Sequence, residues 1–303
     1  MLAVVACAPK SVDPPSLIYE WDIDRMALPQ ASLRVMHVAS SVFKESDAIH
    51  GGDKKKELTA PVSVYLYQHH THGLVLIDAG FGTRTAASSE DYPGKFTSNQ
   101  IGLQMGAPAV VQLQEAGFDP AEVRHIVMTH MHADHAGGIE DFPNATLWVN
   151  EREWDAAQKK KLVKNYHPIA YIAHEDVEKL KFSATENLQP YGAFDDHIDL
   201  FGDGGLILLP TPGHTPGHIS VLVNLFGDSY LITGDTAWVD ENWKGPTPKG
   251  WLARTILEDD WKKTVENAYR IRDWDQRYPE LKIISGHEPD NIPGLPSFPE
   301  TMR

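Results

Sequence analysis

Short apolar runs bounded by glycine, proline and polar residues recur along the chain, and they predict β-strands. Residues 62–67 alternate between apolar and polar positions, residues 69–73 form a polar turn, and residues 74–77 return as a second strand, so a hairpin is expected. Four further runs end at Met128, Leu209, Ile232 and Ile284. Their short lengths favour strands over helices.

Helical periodicity lies between and after these strands. Residues 106–117 predict a helix, and residues 257–273 predict a surface helix with one apolar face. Residues 83–100 are rich in threonine, serine, glycine and alanine, and they predict a loop. The polar turn contains His69, His70 and His72, which we expect to be solvated at the hairpin tip.

The strand that ends at Met128 leads directly into side chains of the metal-ligand type. Four of them follow within six residues, namely His130, His132, Asp134 and His135. In an extended backbone alternate side chains point the same way, so His130 and His132 can converge on one ion. Asp134 and His135 lie beyond the bend and can reach a second ion. A solvated turn rarely has this composition, and the run therefore predicts metal binding.

The later strands also end beside a glycine and a further ligand type. His214 follows the strand that ends at Leu209, in a proline- and glycine-rich loop, and is the natural third ligand of the first ion. Asp235 carries two oxygens that can bridge both ions, and His287 would complete the second ion. His218 lies four residues after His214, and we expect it to hydrogen-bond nearby rather than to ligate.

Composition narrows the function further. Lys and Arg number 27 against 42 Asp and Glu, and the resulting net charge of −15 disfavours nucleic acid as a partner. Cys7 is the single cysteine, so the site must use nitrogen and oxygen ligands. Such ligands suit Zn²⁺, with iron, cobalt or manganese as alternatives. The ligands are spread so widely along the 303 residues that one large domain is expected.

The amino terminus predicts a location. The residues before Cys7 are apolar and end in alanine, as before the lipid-bearing cysteine of a bacterial lipoprotein, although a basic region and most of an apolar region are missing. Residues 1–16 are interpreted as a tether or the remnant of a lipoprotein signal, and residues 17–303 as the folded domain that carries the ligands. This predicts a lipid anchor at Cys7 and a bacterial cell-envelope or secreted protein. An ordinary amino terminus on a cytoplasmic protein is the alternative.

The ordered ligand set resembles that of the metallo-β-lactamase superfamily over about residues 60–290. The resemblance implies an α/β fold, a four-layer αβ/βα sandwich with a dinuclear metal site at the sheet edge. Residues 76–82 are similar to the first motif of the superfamily, and the resemblance gives Asp78 the role of orienting the histidine ligands. Two dications would lower the pKa of a bridging water and generate hydroxide, while Asp134 or Asp235 handles the proton of the leaving group.

Within the superfamily the chain looks most like the N-acyl homoserine lactonases, which implies hydrolysis of acyl lactones and quorum quenching. The shared features are the H-x-H-x-D-H run and the P-T-P-G-H-T-P-G-H loop. Those lactonases commonly place a tyrosine three residues after the bridging aspartate, where this chain has Trp238. An indole N–H can donate a hydrogen bond but cannot act as a phenolic acid. Trp238 is expected to line the substrate pocket.

Other activities remain open on these residues. They are another lactone or ester hydrolase, a thioester hydrolase resembling glyoxalase II, and a mononuclear-iron persulfide dioxygenase. A metal-binding scaffold without catalysis is the non-enzymatic alternative. The sequence leaves the oligomeric state open, with a homodimer as one choice.

Overall fold

A computed structural model describes residues 18–21, 23–159, 165–182, 188–289 and 295–298. The expected tether, Cys7 and the domain boundary at residue 17 lie outside these ranges, so the lipid anchor stays a prediction. Within the described ranges no helix combines the length and the apolar character that a membrane crossing requires.

The described strands form two sheets. The seven-stranded sheet has the order β4-β1-β2-β3-β5-β6-β7, with β1 at Ala31–Lys44, β2 at Glu57–His69, β3 at Gly73–Ile77, β4 at Gln104–Met105, β5 at Val123–Val127, β6 at Thr146–Asn150 and β7 at Val177–Leu180. The five-stranded sheet has the order β12-β11-β10-β9-β8, with β8 at Ile198–Asp199, β9 at Leu206–Pro210, β10 at Ile219–Asn224, β11 at Ser229–Ile232 and β12 at Leu281–Ile284.

Helices connect and cover these sheets. The α-helices among the described residues are α1 at Glu45–Ala48, α2 at Thr83–Ala87, α3 at Lys95–Gln100, α4 at Ala109–Glu115, α5 at Ala133–Ala136, α6 at Glu151–Lys159, α7 at Glu241–Lys244, α8 at Trp251–Ile256 and α9 at Trp261–Arg277. The predicted helices at 106–117 and 257–273 correspond to α4 and α9. The second begins later than predicted because the side chain of Asp260 accepts from the backbone N–H groups of Lys262 and Lys263 and so caps the helix there.

Alternation along the strands divides the interior into three apolar layers. On β3, Val75 and Ile77 face the core between the sheets, whereas Leu74 and Leu76 join a second core with α4 and α6. A third core lies on the far side of the second sheet, where residues of β9 and β11 pack against α9. The order is therefore helix, sheet, sheet, helix, and the prediction of a four-layer αβ/βα sandwich is confirmed.

Strand direction brings the ligand-bearing loops to one edge. In the first sheet β3 and β5 are parallel. In the second sheet β10 is antiparallel to both β9 and β11, and β12 is parallel to β11, so β9, β11 and β12 all run the same way. The loops that follow these three strands consequently leave the sheet at a common edge.

The loop prediction for residues 83–100 is wrong. This segment contains α2, a kinked turn at Glu90–Gly94 in which Tyr92 has an extended backbone, and α3. Its small residues have weak local preferences, but Tyr92 is fully buried and packs edge-on against Phe81. Tertiary packing of one aromatic ring thus overrides the propensity of its neighbours.

The prediction of three solvated histidines at the hairpin tip is wrong for His69. Its side chain is buried, its Nε2 lies 2.9 Å from a carboxylate oxygen of Asp203, and its Nδ1 accepts the backbone N–H groups of Thr71 and His72. The ring of His72 stacks on Phe201 at 4.0 Å between centroids. The loop between β8 and β9 therefore covers the tip, which local sequence could not indicate.

Candidate metal centre

The four-ligand run leaves β5 in an extended conformation and then enters α5. His132 is the last extended residue, with φ −68° and ψ 160°, and helix α5 carries Asp134 and His135. His130, His132 and His135 are all buried. Because the backbone changes from extended to helical immediately after His132, His130 and His132 face one ligand group, whereas Asp134 and His135 face another.

The first ligand group consists of His130, His132, His214 and Asp235, whose ligand atoms all lie within 4.8 Å of one another. The Nε2 of His214 is 3.0 Å from Nδ1 of His132 and 3.2 Å from Oδ2 of Asp235. The Nε2 of His130 is 3.9 Å from the same oxygen. Ligands about 2.0–2.1 Å from a tetrahedral ion lie roughly 3.3 Å apart, so this group has the dimensions of one metal site.

The second ligand group consists of Asp134, His135 and His287, again with ligand atoms within 4.8 Å. Oδ1 of Asp235 lies 3.3 Å from Nε2 of His135 and 3.2 Å from Nε2 of His287. Asp235 therefore turns one oxygen to each group, which is the geometry of a bridging carboxylate. The structure brings together all seven residues predicted as ligands.

Unpartnered atoms show that the two groups fit metal ions. Nε2 of His130, Nε2 of His135 and Oδ1 of Asp235 are buried and have no hydrogen-bond partner among the described residues. Leaving such atoms without a partner costs about 1–3 kcal/mol each. Cations between the two groups would satisfy all three atoms.

Burial and neighbouring charges set the protonation states of the candidate ligands. Burial, reinforced by neighbouring imidazoles, lowers the pKa of His130 and of His132 well below the usual value, so both rings are neutral near pH 7. Burial alone would raise the pKa of Asp235, but His287 and His214 outweigh it and hold that pKa well below its usual range. His130, His132 and Asp235 are therefore in the forms that bind metal. Burial alone would lower the pKa of His135, His214 and His287, but neighbouring carboxylates, Asp235 among them, outweigh it and raise that pKa, so these three rings release a proton when an ion binds.

Comparison with known proteins agrees with this geometry. The model of the metallo-beta-lactamase superfamily matches residues 59–277. The chain belongs to the metallo-β-lactamase superfamily. The resemblance recognised in the ligand set and the prediction of a metal-dependent hydrolase are confirmed at this level.

Individual superfamily members extend the comparison. The N-acyl homoserine lactonase AttM of Agrobacterium fabrum is 31% identical over 244 residues, which cover 79% of this chain and 86% of that protein. A solved N-acyl homoserine lactone hydrolase, with the product N-hexanoyl-L-homoserine bound at its catalytic metal centre, has a TM-score of 0.70 at 22% identity and covers 90% of this chain and 99% of its own. The dizinc quorum-quenching lactonase AidC has a TM-score of 0.58 at 16% identity, covering 91% and 96%.

Outer partners fix the orientation of three ligand rings in this superfamily member. His135 donates from Nδ1 to Asp78 at 2.7 Å, and His287 donates from Nδ1 to the carbonyl of Pro61 at 2.9 Å. Nδ1 of His214 lies 3.1 Å from Oε1 of Glu258. With each proton on Nδ1, the Nε2 atoms are free to ligate. Asp78 thus occupies the position expected of an orienting residue.

His218 is not in either ligand group and instead hydrogen-bonds the loop that carries Asp235. Its Nε2 accepts the backbone N–H of Asp235 at 2.9 Å, and its Nδ1 lies 2.9 Å from Oγ1 of Thr211. Gly234 makes this approach possible: its φ is +51°, and a Cβ there would come within 2.7 Å of Nε2 of His218. The expected hydrogen-bonding role of His218 matches this placement.

Trp238 lies against both ligand groups. Its indole N–H donates to Oδ2 of Asp235 at 2.7 Å, and its ring is 6.0 Å from the ring of His287 and 6.5 Å from that of His214. It also lines a cavity of about 320 Å³ that reaches the ligand groups. The indole thus contacts the bridging carboxylate itself, a contact that the sequence did not predict.

Three buried charged residues behind the ligands were not identified from the sequence. Glu153 on α6 accepts the backbone N–H groups of Met131 and Gly217 at 2.9 and 3.1 Å and the hydroxyl of Tyr166 at 3.1 Å. It therefore ties the His130 loop to the His214 loop. Lys249 and Glu258 form a buried ion pair. In sequence each looks like an ordinary solvated residue, so no local signal marks them.

A third group of ligand types does not fit a metal. His69, His72 and Asp203 place ligand atoms within 4.8 Å of one another. However, Nδ1 of His69 accepts two backbone N–H groups, so the proton of this ring must be on Nε2, where it faces Asp203. A ring that donates from Nε2 cannot ligate there. This group instead closes the hairpin tip.

Proposed function

We propose that this enzyme hydrolyses N-acyl homoserine lactones and so quenches quorum signals. The observation that carries the proposal is the pair of ligand groups bridged by Asp235 at the end of an apolar cavity. The lactonase names of its relatives support the same substrate class.

The cavity suits a molecule with a polar head and an apolar tail. His132, Asp134 and His287 lie at its polar end. Apolar side chains form much of the remaining wall, namely Phe43, Phe96, Ile101, Leu252, Ile256 and Leu257. No lysine or arginine is among the described residues that line it, which disfavours the anionic glutathione thioesters. An acyl lactone fits this cavity, because its lactone ring is polar and its acyl chain is apolar.

The centre is proposed to hold two divalent ions, with Zn²⁺ favoured by the nitrogen and oxygen ligands. Ions bound there would activate a water molecule and polarise the lactone carbonyl. Asp134 borders the cavity and is only partly buried, so its carboxylate could accept the proton that the attacking water loses and deliver it to the ring oxygen that leaves. Trp238 and His218 hydrogen-bond Asp235, and Asp235 thereby keeps a fixed position between the two ligand groups.

Metal analysis with a substrate panel tests this proposal. Purified protein is expected to contain about two divalent ions per chain and to open acyl lactones, with turnover lost on chelation and restored by Zn²⁺ or Co²⁺. A thioester, a phosphotriester and a β-lactam serve as competing substrates. One iron per chain with oxygen consumption would instead identify a dioxygenase, and two ions without lactone turnover would contradict the substrate proposal.

The apolar wall predicts a preference for longer acyl chains. We expect kcat/KM to rise by up to about fourfold per added methylene while the chain still contacts the wall, since each buried CH₂ contributes about 0.8 kcal/mol. Ile256→Asn should reduce kcat/KM for a decanoyl lactone more than for a butanoyl lactone. Ile172→Asn is the matched control, because Ile172 is similarly exposed but does not line the cavity. Equal losses on both substrates would place the acyl chain elsewhere.

Trp238 is predicted to act through both its N–H and its ring. Trp238→Phe keeps an aromatic ring but removes the donor to Asp235, and we expect kcat to fall about 10–100-fold, because a hydrogen bond to a charged group contributes about 1.5–3 kcal/mol. Trp238→Ala should also raise KM several-fold by removing an apolar contact. Trp238→Tyr should retain or improve turnover by restoring a phenolic donor. If lactone kinetics are unchanged in all three variants, Trp238 does not contact the reacting groups.

A further inference from the structure

A lysine side chain is buried directly behind the first ligand group. Lys249 is 3% exposed, and its ammonium group donates to the backbone carbonyl of Asp235 at 2.5 Å and to Oε1 of Glu258 at 2.6 Å. It also lies 5.2 Å from the centre of the Trp238 ring, within the range of a cation–π contact. The ammonium group of Lys249 therefore contacts Asp235 directly, at its main-chain carbonyl, and indirectly, through the Trp238 ring that hydrogen-bonds the Asp235 side chain.

The carboxylate of Glu258 connects Lys249 to a second candidate ligand, His214. Glu258 is 4% exposed, and its Oε1 lies 3.1 Å from Nδ1 of His214 as well as beside the ammonium of Lys249. Its other oxygen accepts the hydroxyl of Thr264 at the start of α9. The carboxylate is thus fixed on both oxygens, and it fixes in turn the ring of His214.

Stability alone does not explain this pair. Removing two charges from water costs several kcal/mol per ion, and well-packed apolar residues in the same space are often as stable or more stable. The structure places the pair where two metal-site ligands from different loops must be held in one geometry. His214 follows β9, and Asp235 follows β11.

We propose that Lys249 is a positioning residue for the first ligand group, acting on His214 through Glu258 and on Asp235 through its carbonyl and Trp238. The inference rests on the metal centre of the proposed function. Lys249 does not border the described part of the substrate cavity, so its effect is on the ligands and not on the substrate. The second ligand group, Asp134, His135 and His287, has its own outer partners in Asp78 and Pro61.

Cobalt binding measured separately for the two sites tests the proposal. Lys249→Met is expected to weaken the binding of one Co²⁺ ion by about 10–100-fold in competition with a chelator, as is typical when an outer partner of a ligand is lost. Binding of the other ion should weaken by less than about threefold, because its group shares only Asp235 with the first group and its histidines keep their own partners in Asp78 and Pro61. Lys244→Met is the matched control, because Lys244 is an exposed lysine of the same region that pairs with Asp240. It should leave both affinities unchanged.

A second variant keeps the test decisive if Lys249→Met fails to fold. Lys249→Met combined with Glu258→Gln leaves no unpaired buried charge, so it should fold, and we still expect one Co²⁺ site to be at least about tenfold weaker. Unchanged affinity of both sites in either folded variant would overturn the proposal, as would equal weakening of both. Wild-type protein that binds two ions but does not open lactones would overturn the proposed function and leave this inference standing.

Discussion

Replacement of Asp235 by asparagine is expected to lower kcat/KM for acyl lactones by at least about 10²-fold, since bound metal contributes several kcal/mol to such reactions. The two oxygens of Asp235 face different ligand groups, at 3.2 Å from His214 and 3.2 Å from His287. An amide offers one oxygen and one N–H₂ group, so it can serve only one group. We expect the metal content to fall from about two ions to about one per chain.

Metal analysis and steady-state kinetics on the same preparation measure both effects. Asp228→Asn is the control, because Asp228 is a surface aspartate that pairs with Lys282. It should have two ions and normal kinetics. If Asp235→Asn also retains two ions and wild-type kinetics, Asp235 does not bridge the centre.

Glu153→Ala is expected to lower the free energy of unfolding by about 3–5 kcal/mol. Glu153 is buried and accepts the backbone N–H groups of Met131 and Gly217 and the hydroxyl of Tyr166. Its removal leaves three buried donors without that acceptor, and each unsatisfied group costs about 1–3 kcal/mol, partly recovered by local rearrangement. Denaturant unfolding followed by fluorescence measures the loss.

The control for Glu153 lies one half-turn away on the same helix. Glu151 is partly exposed and pairs with Lys181, so Glu151→Ala should change stability by less than about 1 kcal/mol. Glu153→Gln keeps one carbonyl acceptor and should lose less than the alanine variant. Similar stability of the Glu151 and Glu153 alanine variants would show that Glu153 does not join the two loops.

The sequence predicted the fold and the seven candidate ligands because each ligand follows a short apolar strand within a few residues. His130, His214 and His287 all follow this rule. The relation is local, and strand direction then brings the loops to one edge. The structure places Asp78 and His218 in the expected supporting positions for the same reason, since each lies in one of these loops.

The rest depended on contacts between distant segments. Glu153 meets Gly217 across 64 positions, and Glu258 meets His214 across 44, so neither contact leaves a trace in the neighbouring residues. The burial of Tyr92 and of His69 likewise comes from other segments that cover them. Propensity and periodicity describe a residue's neighbours in sequence, whereas these positions are decided by neighbours in space.

The ligands of the first group come from the two halves of the sandwich, since His132 follows a strand of one sheet and His214, 82 positions later, follows a strand of the other. During synthesis at about 5–20 residues per second, His132 therefore leaves the ribosome several seconds before its partner exists. A nascent chain that carries only the first half offers at most a weak, partial site. We therefore expect the first ligand group to bind an ion only after the second half of the chain has been synthesised, and an ion bound there would link the two sheets.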